Sequence, residues 1–330
     1  VHIALLVVGM AIILAAAELF TNSVEWLGKK LDLSEGSVGS ILAAVGTALP
    51  ETILPLIAIV ALGDAAGQEI GIGAIVGAPF MLSTAAFFIT GLAIFLFSAG
   101  GRRTTAMRVN PLLLERDLRF FLVVYGAAIV SSFLPLRLLK ILVGCGLLAL
   151  YAYYVWRTLR AEEETMGGTH LAPLRFAPGR HNPPLLRILL QTLFSLGLLV
   201  GGAEMFVSNL EALSTQLHVP PLLLSLVLAP LATELPEKFN SVLWVRNSKD
   251  TLALGNITGA MVFQSCIPVA VGLLLTEWVL TPPALASALI ALLSSAIVYA
   301  SIVARKRLTP RLLLLGGALY LVYLAYVVVG

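Results

Sequence analysis

Val45-Gly-Thr-Ala-Leu-Pro-Glu-Thr52 places a carboxylate, Glu51, and a helix-breaking proline, Pro50, in the middle of a segment otherwise suited to lipid. The same order of Thr, Leu, Pro and Glu returns 186 positions later, in Leu231-Ala-Thr-Glu-Leu-Pro-Glu-Lys238, again inside an apolar run. The likeness extends outward from the motif. Residues 18–52 align with 204–238 without a gap, and Glu18/Glu204, Phe20/Phe206, Glu25/Glu211, Leu27/Leu213, Leu31/Leu217, Thr47/Thr233, Pro50/Pro236 and Glu51/Glu237 coincide. An internal duplication is the expected source.

The surroundings of the two motifs are those of a membrane protein. Hydrophobic residues make up 59% of the chain and charged residues 12%, with a mean hydropathy of +0.97. Soluble domains carry about 25% charged residues. The chain therefore reads as an all-α polytopic protein of the lipid bilayer, with no nucleic acid implied by its net charge of +3, and its in-span carboxylates Glu51 and Glu237 point to inorganic cations as partners. Cys145 and Cys266 fall in apolar stretches and read as small buried hydrophobes, without a disulfide framework. Residues 1–20 lack a basic n-region and an A-x-A-like cleavage site, so they are expected to be a retained first span, and the missing initiator Met reads as a trimmed start.

With about 20 residues per span, ten candidate helices emerge: 2–26, 37–61, 69–98, 119–135, 138–157, 187–213, 221–244, 251–276, 283–304 and 311–329. Turn signals separate them, among them Gly63-Asp64, Asn110-Pro111, Pro183-Pro184, Pro220-Pro221 and Pro282-Pro283. The long polar connection 158–186 divides the chain into a five-helix unit over 1–157 and a second over 187–330. Of the 21 Lys and Arg residues, 18 fall on one side of this arrangement, Arg137 and Lys140 fall on the other, and Lys238 lies within a span. The basic side is expected to be cytoplasmic, which puts the 158–186 loop inside and both termini outside. Because each unit has an odd number of helices, the second enters the bilayer from the opposite side. The two units are thus expected to form inverted repeats, an architecture that places substrate and coupling ions near the midplane at broken helices.

An acidic residue at the centre of a membrane helix costs about 2.5–3.5 kcal/mol on insertion scales, so two of them require compensation. A bound cation supplies it. Ca2+ accepts carboxylates together with carbonyl and hydroxyl oxygens, which makes Glu51 and Glu237 the central candidate ligands and Thr47 and Thr233 candidates for further oxygens. The alternative is a pair of protonated, hydrogen-bonded structural carboxyls. Glu234 and Lys238 stand four residues apart and either pair with each other or leave Glu234 as a third ligand. Glu18 and Glu204 fall near helix ends, where interfacial acids are expected. The four histidines are scattered and share no metal-ligand spacing with paired cysteines, and no nucleophile with its base or zinc-protease motif is present, so an intramembrane enzyme is disfavoured.

A second pair of segments follows the motifs, Gly71-Ile-Gly-Ala-Ile-Val-Gly-Ala-Pro-Phe80 and Gly255-Asn-Ile-Thr-Gly-Ala-Met-Val-Phe-Gln264, each with glycines four apart. Close helix packing through small residues accounts for that spacing. A role in bringing backbone near an ion is the other reading.

Taken together, the two motifs and the two segments resemble the cation/calcium antiporter superfamily, the group that contains sodium/calcium exchangers, over nearly the whole chain. That family has ten helices in two inverted halves, each with a Gly-Thr-Ser-x-Pro-Glu signature and a following Gly-Asn-x-x-Gly-Ser-Asn type segment that line its ion sites. Thr47, Pro50, Glu51, Thr233, Pro236 and Glu237 match the signature, and Gly73, Gly77, Gly255, Asn256 and Gly259 match the segment. The chain departs from the pattern at Ala48 and Glu234, which take the signature Ser positions, at Ala232, Ala78 and Ala260, and at Leu82 and Gln264, where the family offers Asn or Asp. The resemblance implies a secondary active antiporter of an inner membrane exchanging Ca2+ against Na+ or H+, with Glu51, Glu237, Thr47, Thr233, Glu234, Gln264 and Asn256 as candidate cation ligands and no cofactor. A passive cation channel and an antiporter of another cation remain the rivals. The lost side-chain oxygens point away from Na+ and toward H+, because a proton needs a carboxylate but no cage of oxygens.

Overall fold

A computed structural model describes residues 1–30, 49–162, 172–180 and 182–329, and every regular element among them is helical. The helices are α1 His2–Lys30, α2 Pro50–Leu62, α3 Ala65–Ala99, α4 Pro111–Ser131, α5 Arg137–Glu162, α6 Leu185–Leu217, α7 Pro221–Thr233, α8 Leu235–Arg246, α9 Asp250–Leu275, α10 Pro282–Arg305 and α11 Pro310–Val329. Seven of these described helices, α1, α3, α5, α6, α9, α10 and α11, are long and apolar enough to cross a membrane. The chain is a multi-pass membrane protein.

Local chemistry sets the helix ends. Gly63 adopts φ 66°, a conformation that favours glycine, and the Asp64 side chain then accepts a hydrogen bond from the Gly67 amide to open α3. Asn110 opens α4 in the same way, accepting from the amides of Leu112 and Leu113 ahead of Pro111. This corrects the expected span 119–135. The charges that place residues 111–118 in a loop, Glu115, Arg116 and Asp117, lie instead on the first turns of α4. Asp117 is buried there, accepting hydrogen bonds from Arg116, from the Tyr154 hydroxyl at 2.8 Å and from the Thr258 hydroxyl at 2.9 Å. A buried carboxylate is tolerated when donors from several elements meet it.

The expected span 221–244 is also corrected, since it is broken. Helix α7 ends at Thr233, Glu234 takes φ −94° and ψ 6°, and α8 begins at Leu235. Of the expected span 37–61 the described part starts at Leu49; α2 begins at Pro50 and finishes in a π-helical turn, Ala58–Leu62. A second π-helical turn, Leu82–Ala86, interrupts α3. Thr47 and Ala48 lie outside the described residues.

The longest packing seams join the two parts of the chain to each other. Helix α1 runs along α6, where a Cβ on Gly9 would come within 3.1 Å of the Phe206 backbone nitrogen and one on Gly202 within 2.9 Å of Ile12. Helix α3 runs along α7 even more closely. A Cβ on Gly73 would collide with the Ser225 hydroxyl and one on Gly77 with the Leu226 carbonyl oxygen, while Ser225 itself donates to the Ile70 carbonyl at 2.7 Å. The glycine spacing in the first segment therefore serves close helix packing. One apolar cluster gathers α1, α2, α6 and α7 around Ile13, Leu54 and Phe206, and a larger one gathers α3, α4, α9, α10 and α11 around Phe80, Phe121 and Met261. The two meet along α3.

Polar anchors hold the connections. Asp250 at the start of α9 forms a buried ion pair with Arg103 at 2.6 Å and accepts from the Arg108 amide at 2.9 Å. Arg137 donates to the carbonyls of Leu273, Leu274 and Thr276, and Lys140 to that of Glu277 at 2.7 Å, so both cations are bound to the carbonyl-rich end of α9. The connection before α6 is docked rather than loose in its described part: Trp26 donates to the Ala172 carbonyl at 2.9 Å, Asn22 accepts from the Arg175 amide at 3.1 Å, and Gln191 donates to Asn22 at 3.0 Å.

Candidate ion-binding site

Two short helices present the candidate carboxylates. Glu51 stands in the first turn of α2 and Glu237 in the first turn of α8, positions where backbone N–H groups lack intrahelical acceptors and negative charge is favoured. In each case a proline sits one residue before the glutamate, where its missing N–H costs no helical hydrogen bond. Glu51 is 5% exposed and Glu237 3% exposed. The charge of Glu51 is within electrostatic reach of Glu237, Glu234 and Lys238, so the two motif copies come together in space.

A small cavity adjoins the first copy. Glu51, Pro55, Ala74, Ala78, Pro230 and Thr233 form its wall, so it lies between α2, α3 and α7. Glu51 Oε2 is buried and accepts no hydrogen bond among the described residues, and the same is true of Gln264 Oε1. Leaving such an acceptor unmatched costs about 1–3 kcal/mol, which a cation or a proton would offset. The Thr233 hydroxyl donates to the Ala229 carbonyl at 3.3 Å, so its oxygen retains lone pairs that can face a cation.

The second copy carries more charge. Glu234 at the break between α7 and α8 is fully buried; its Oε2 accepts from Lys238 Nζ at 2.9 Å and its Oε1 from Gln264 Nε2 at 3.3 Å. Lys238 is 6% exposed and its ammonium also reaches Met81 Sδ at 3.1 Å. The expected Glu234–Lys238 pair forms although the helix starts between the two, because the Lys238 amide donates to the Glu234 carbonyl at 3.2 Å and holds the pair in register. Asn256 on α9 contacts the second copy through its Nδ2, which donates to the Glu237 backbone carbonyl at 3.4 Å.

Of the candidate ligands, Glu51, Thr233, Glu234, Glu237 and Gln264 are therefore buried around one region, with Asn256 at its edge, while Thr47 is outside the described residues. Among the described residues no three His, Cys, Asp or Glu converge as a resident metal centre, so hydroxyl, amide and carbonyl oxygens would have to complete a cation shell. Sequence reasoning missed Met81, whose thioether touches Lys238, and Tyr320, which is within electrostatic reach of Glu234 and stacks on Phe80 with ring centroids 5.4 Å apart. Neither carries a sequence signal, since each sits in an apolar run. Ala78 brings a methyl group to the cavity wall, and Leu82 is completely buried. Glu18 and Glu204 are exposed, and Glu18 pairs with Arg175.

Known proteins resemble this chain in sequence and in fold. The family profile described as sodium/calcium exchanger protein matches residues 1–160 and 187–329. Inner membrane protein YrbG of Escherichia coli (strain K12) is 24% identical, over 98% of this chain and 95% of its own length. Among solved structures, that of the H+/Ca2+ exchanger CAX superposes with a TM-score of 0.74 at 16% identity, covering 99% of this chain and 82% of CAX. The sodium-calcium exchanger NCX_Mj superposes with a TM-score of 0.61 at 18% identity over 98% of both chains.

Proposed function

The chain belongs to the sodium/calcium exchanger protein family, and on that premise we propose that it is a secondary active antiporter moving Ca2+ across an inner membrane against H+ or Na+ by alternating access. The observation that carries this reading is the meeting of Glu51 and Glu237, one from each motif copy, as buried carboxylates in one region. Two such charges match a divalent cation. In the proposed site Glu51 and Glu237 hold Ca2+, and Thr233, Gln264, Thr47, Asn256 and backbone carbonyls supply further oxygens. The names of the similar structures, an H+/Ca2+ exchanger and a sodium-calcium exchanger, support the ion class.

Residues 1–157 and 187–330 form the two inverted repeats of this proposal, joined by a cytoplasmic 158–186 loop, with both termini outside. The distribution of Lys and Arg supports the orientation. The two basic residues on the outer side, Arg137 and Lys140, are both engaged by carbonyl oxygens, which accounts for their presence there. Cysteines placed in 172–180 are expected to react with impermeant reagents only from the cytoplasm, and a cysteine following residue 329 only from outside.

Coupling to H+ is favoured by Ala78, which lines the cavity where the resembled family carries a side-chain oxygen. Proteoliposomes with an outwardly directed H+ gradient at zero Na+ are expected to accumulate Ca2+ against its gradient. Accumulation driven only by an outward Na+ gradient at clamped pH would assign the coupling to Na+. Ca2+ flux that is never uphill under either gradient would replace the antiporter with a channel.

A further inference from the structure

Lys238 is a buried cation inside a cation site, and holding Ca2+ gives it no task. Among the described residues its ammonium has one carboxylate partner, Glu234 Oε2 at 2.9 Å, and one weak acceptor, Met81 Sδ at 3.1 Å. The other oxygen of Glu234 is also matched, by Gln264 Nε2 at 3.3 Å, so Glu234 is satisfied by protein donors on both sides. Glu51 differs, since its Oε2 is buried without such a donor among the described residues.

We propose that Lys238 is a tethered cation: its ammonium permanently fills the place a monovalent ion would take on Glu234, leaving the site two formal negative charges and making the exchange electroneutral. The inference rests on the antiport reading above and sharpens it. Glu51, Glu234 and Glu237 do not converge on one metal position, but Glu51 lies within electrostatic reach of the other two carboxylates and of Lys238, so the region holds three negative charges and one positive charge, all four side chains being buried. One divalent cation neutralises what is left, and so do two monovalent ions or two protons. The site would be neutral in both loaded forms. Glu234 caps the start of α8 and Lys238 lies in that helix's first turns, so the pair travels with α8 and never enters solution on either side.

The test is the response of Ca2+ accumulation to membrane potential, clamped with K+ and valinomycin in proteoliposomes under a fixed driving gradient. Wild-type protein is expected to reach the same accumulation ratio at every potential, whereas one net charge per cycle would shift that ratio about fifty-fold for each 100 mV. Lys238→Met exposes the Glu234 charge and is expected to bring in an additional monovalent ion, so that accumulation follows the potential. Glu234→Gln combined with Lys238→Met restores two negative charges and is expected to exchange without charge movement. That double variant strands neither member of the Glu234–Lys238 pair and serves as the measurable variant if Lys238→Met does not fold. Wild-type accumulation that follows the potential overturns the tethered cation and leaves the antiport reading standing, as does a double variant that moves charge. Wild-type protein that accumulates Ca2+ under neither an H+ nor a Na+ gradient overturns the antiport reading itself, and the tethered cation with it.

Discussion

At the first motif copy Glu51 stands on α2 against a cavity walled by Ala74, Ala78 and Pro230, and one of its oxygens accepts no hydrogen bond among the described residues. At the second, Glu237 stands in sequence between Glu234 and Lys238, whose charges are bound to each other, with Glu234 also accepting from Gln264. The backbone device is shared: a short helix opens at a proline and carries a glutamate in its first turn. Everything added to that device sits on one side. The recurring motif thus supplies one carboxylate in each copy, while the further charges, Glu234 and Lys238, are present in the second copy alone, where the first has Ala48 and Thr52.

The largest expected effect tests whether the shared part is equivalent. Glu51→Gln and Glu237→Gln each remove one charge while keeping approximate shape, and each is expected to lower isotopic Ca2+ exchange by about 100-fold or more with an unchanged gel-filtration profile. Wild-type flux in either variant would break the equivalence. Next in size is the charge held in the second copy. Glu234→Gln alone strands the Lys238 ammonium and is expected to destabilise the protein by about 3–5 kcal/mol; the same change combined with Lys238→Met should recover most of that loss in thermal unfolding.

A smaller difference is expected between the glycine segments that follow the copies. Gly77→Ala forces a methyl group onto the Leu226 carbonyl oxygen, an overpacking that costs about 1–3 kcal/mol. At Gly255 a Cβ would approach only the Leu113 side chain among the described residues, at 3.3 Å, so Gly255→Ala should shift the unfolding temperature less. Smallest of all, Thr233→Ala removes one hydroxyl from the cavity wall and is expected to weaken Ca2+ binding about threefold, read by calorimetric titration.

What the sequence makes legible here is whatever repeats or stays within one helical turn. Glu51, Glu237 and their prolines are visible because they recur in an apolar setting, and the Glu234–Lys238 pair because four residues separate its members. Contacts between distant segments leave no such trace. Met81 meets Lys238 across 157 positions, and Asp117 is drawn into the protein by Thr258, 141 positions away. The start of α4 was hidden for the same reason. Charges on its first turns resemble a loop until the groups that receive them are known. The break at Glu234 is half legible: the motif proline at 236 announces an interruption, but the continuous apolar composition reads as one span.

The seams between the two parts of the chain also constrain how the protein is made. The partner of α1 is α6, that of α3 is α7, and α5 packs on α9, so each of these early helices finds its main neighbour in the later part. At about 5–20 residues per second of synthesis, the roughly 155 residues between the end of α1 at Lys30 and the start of α6 at Leu185 keep α1 waiting on the order of ten seconds. During that interval Gly9 and the faces beside it are covered by lipid. Assembly then replaces lipid with protein on the face of α1 that carries Gly9, and a ribosome that stalls before α6 would leave the early helices without the partners of their longest seams.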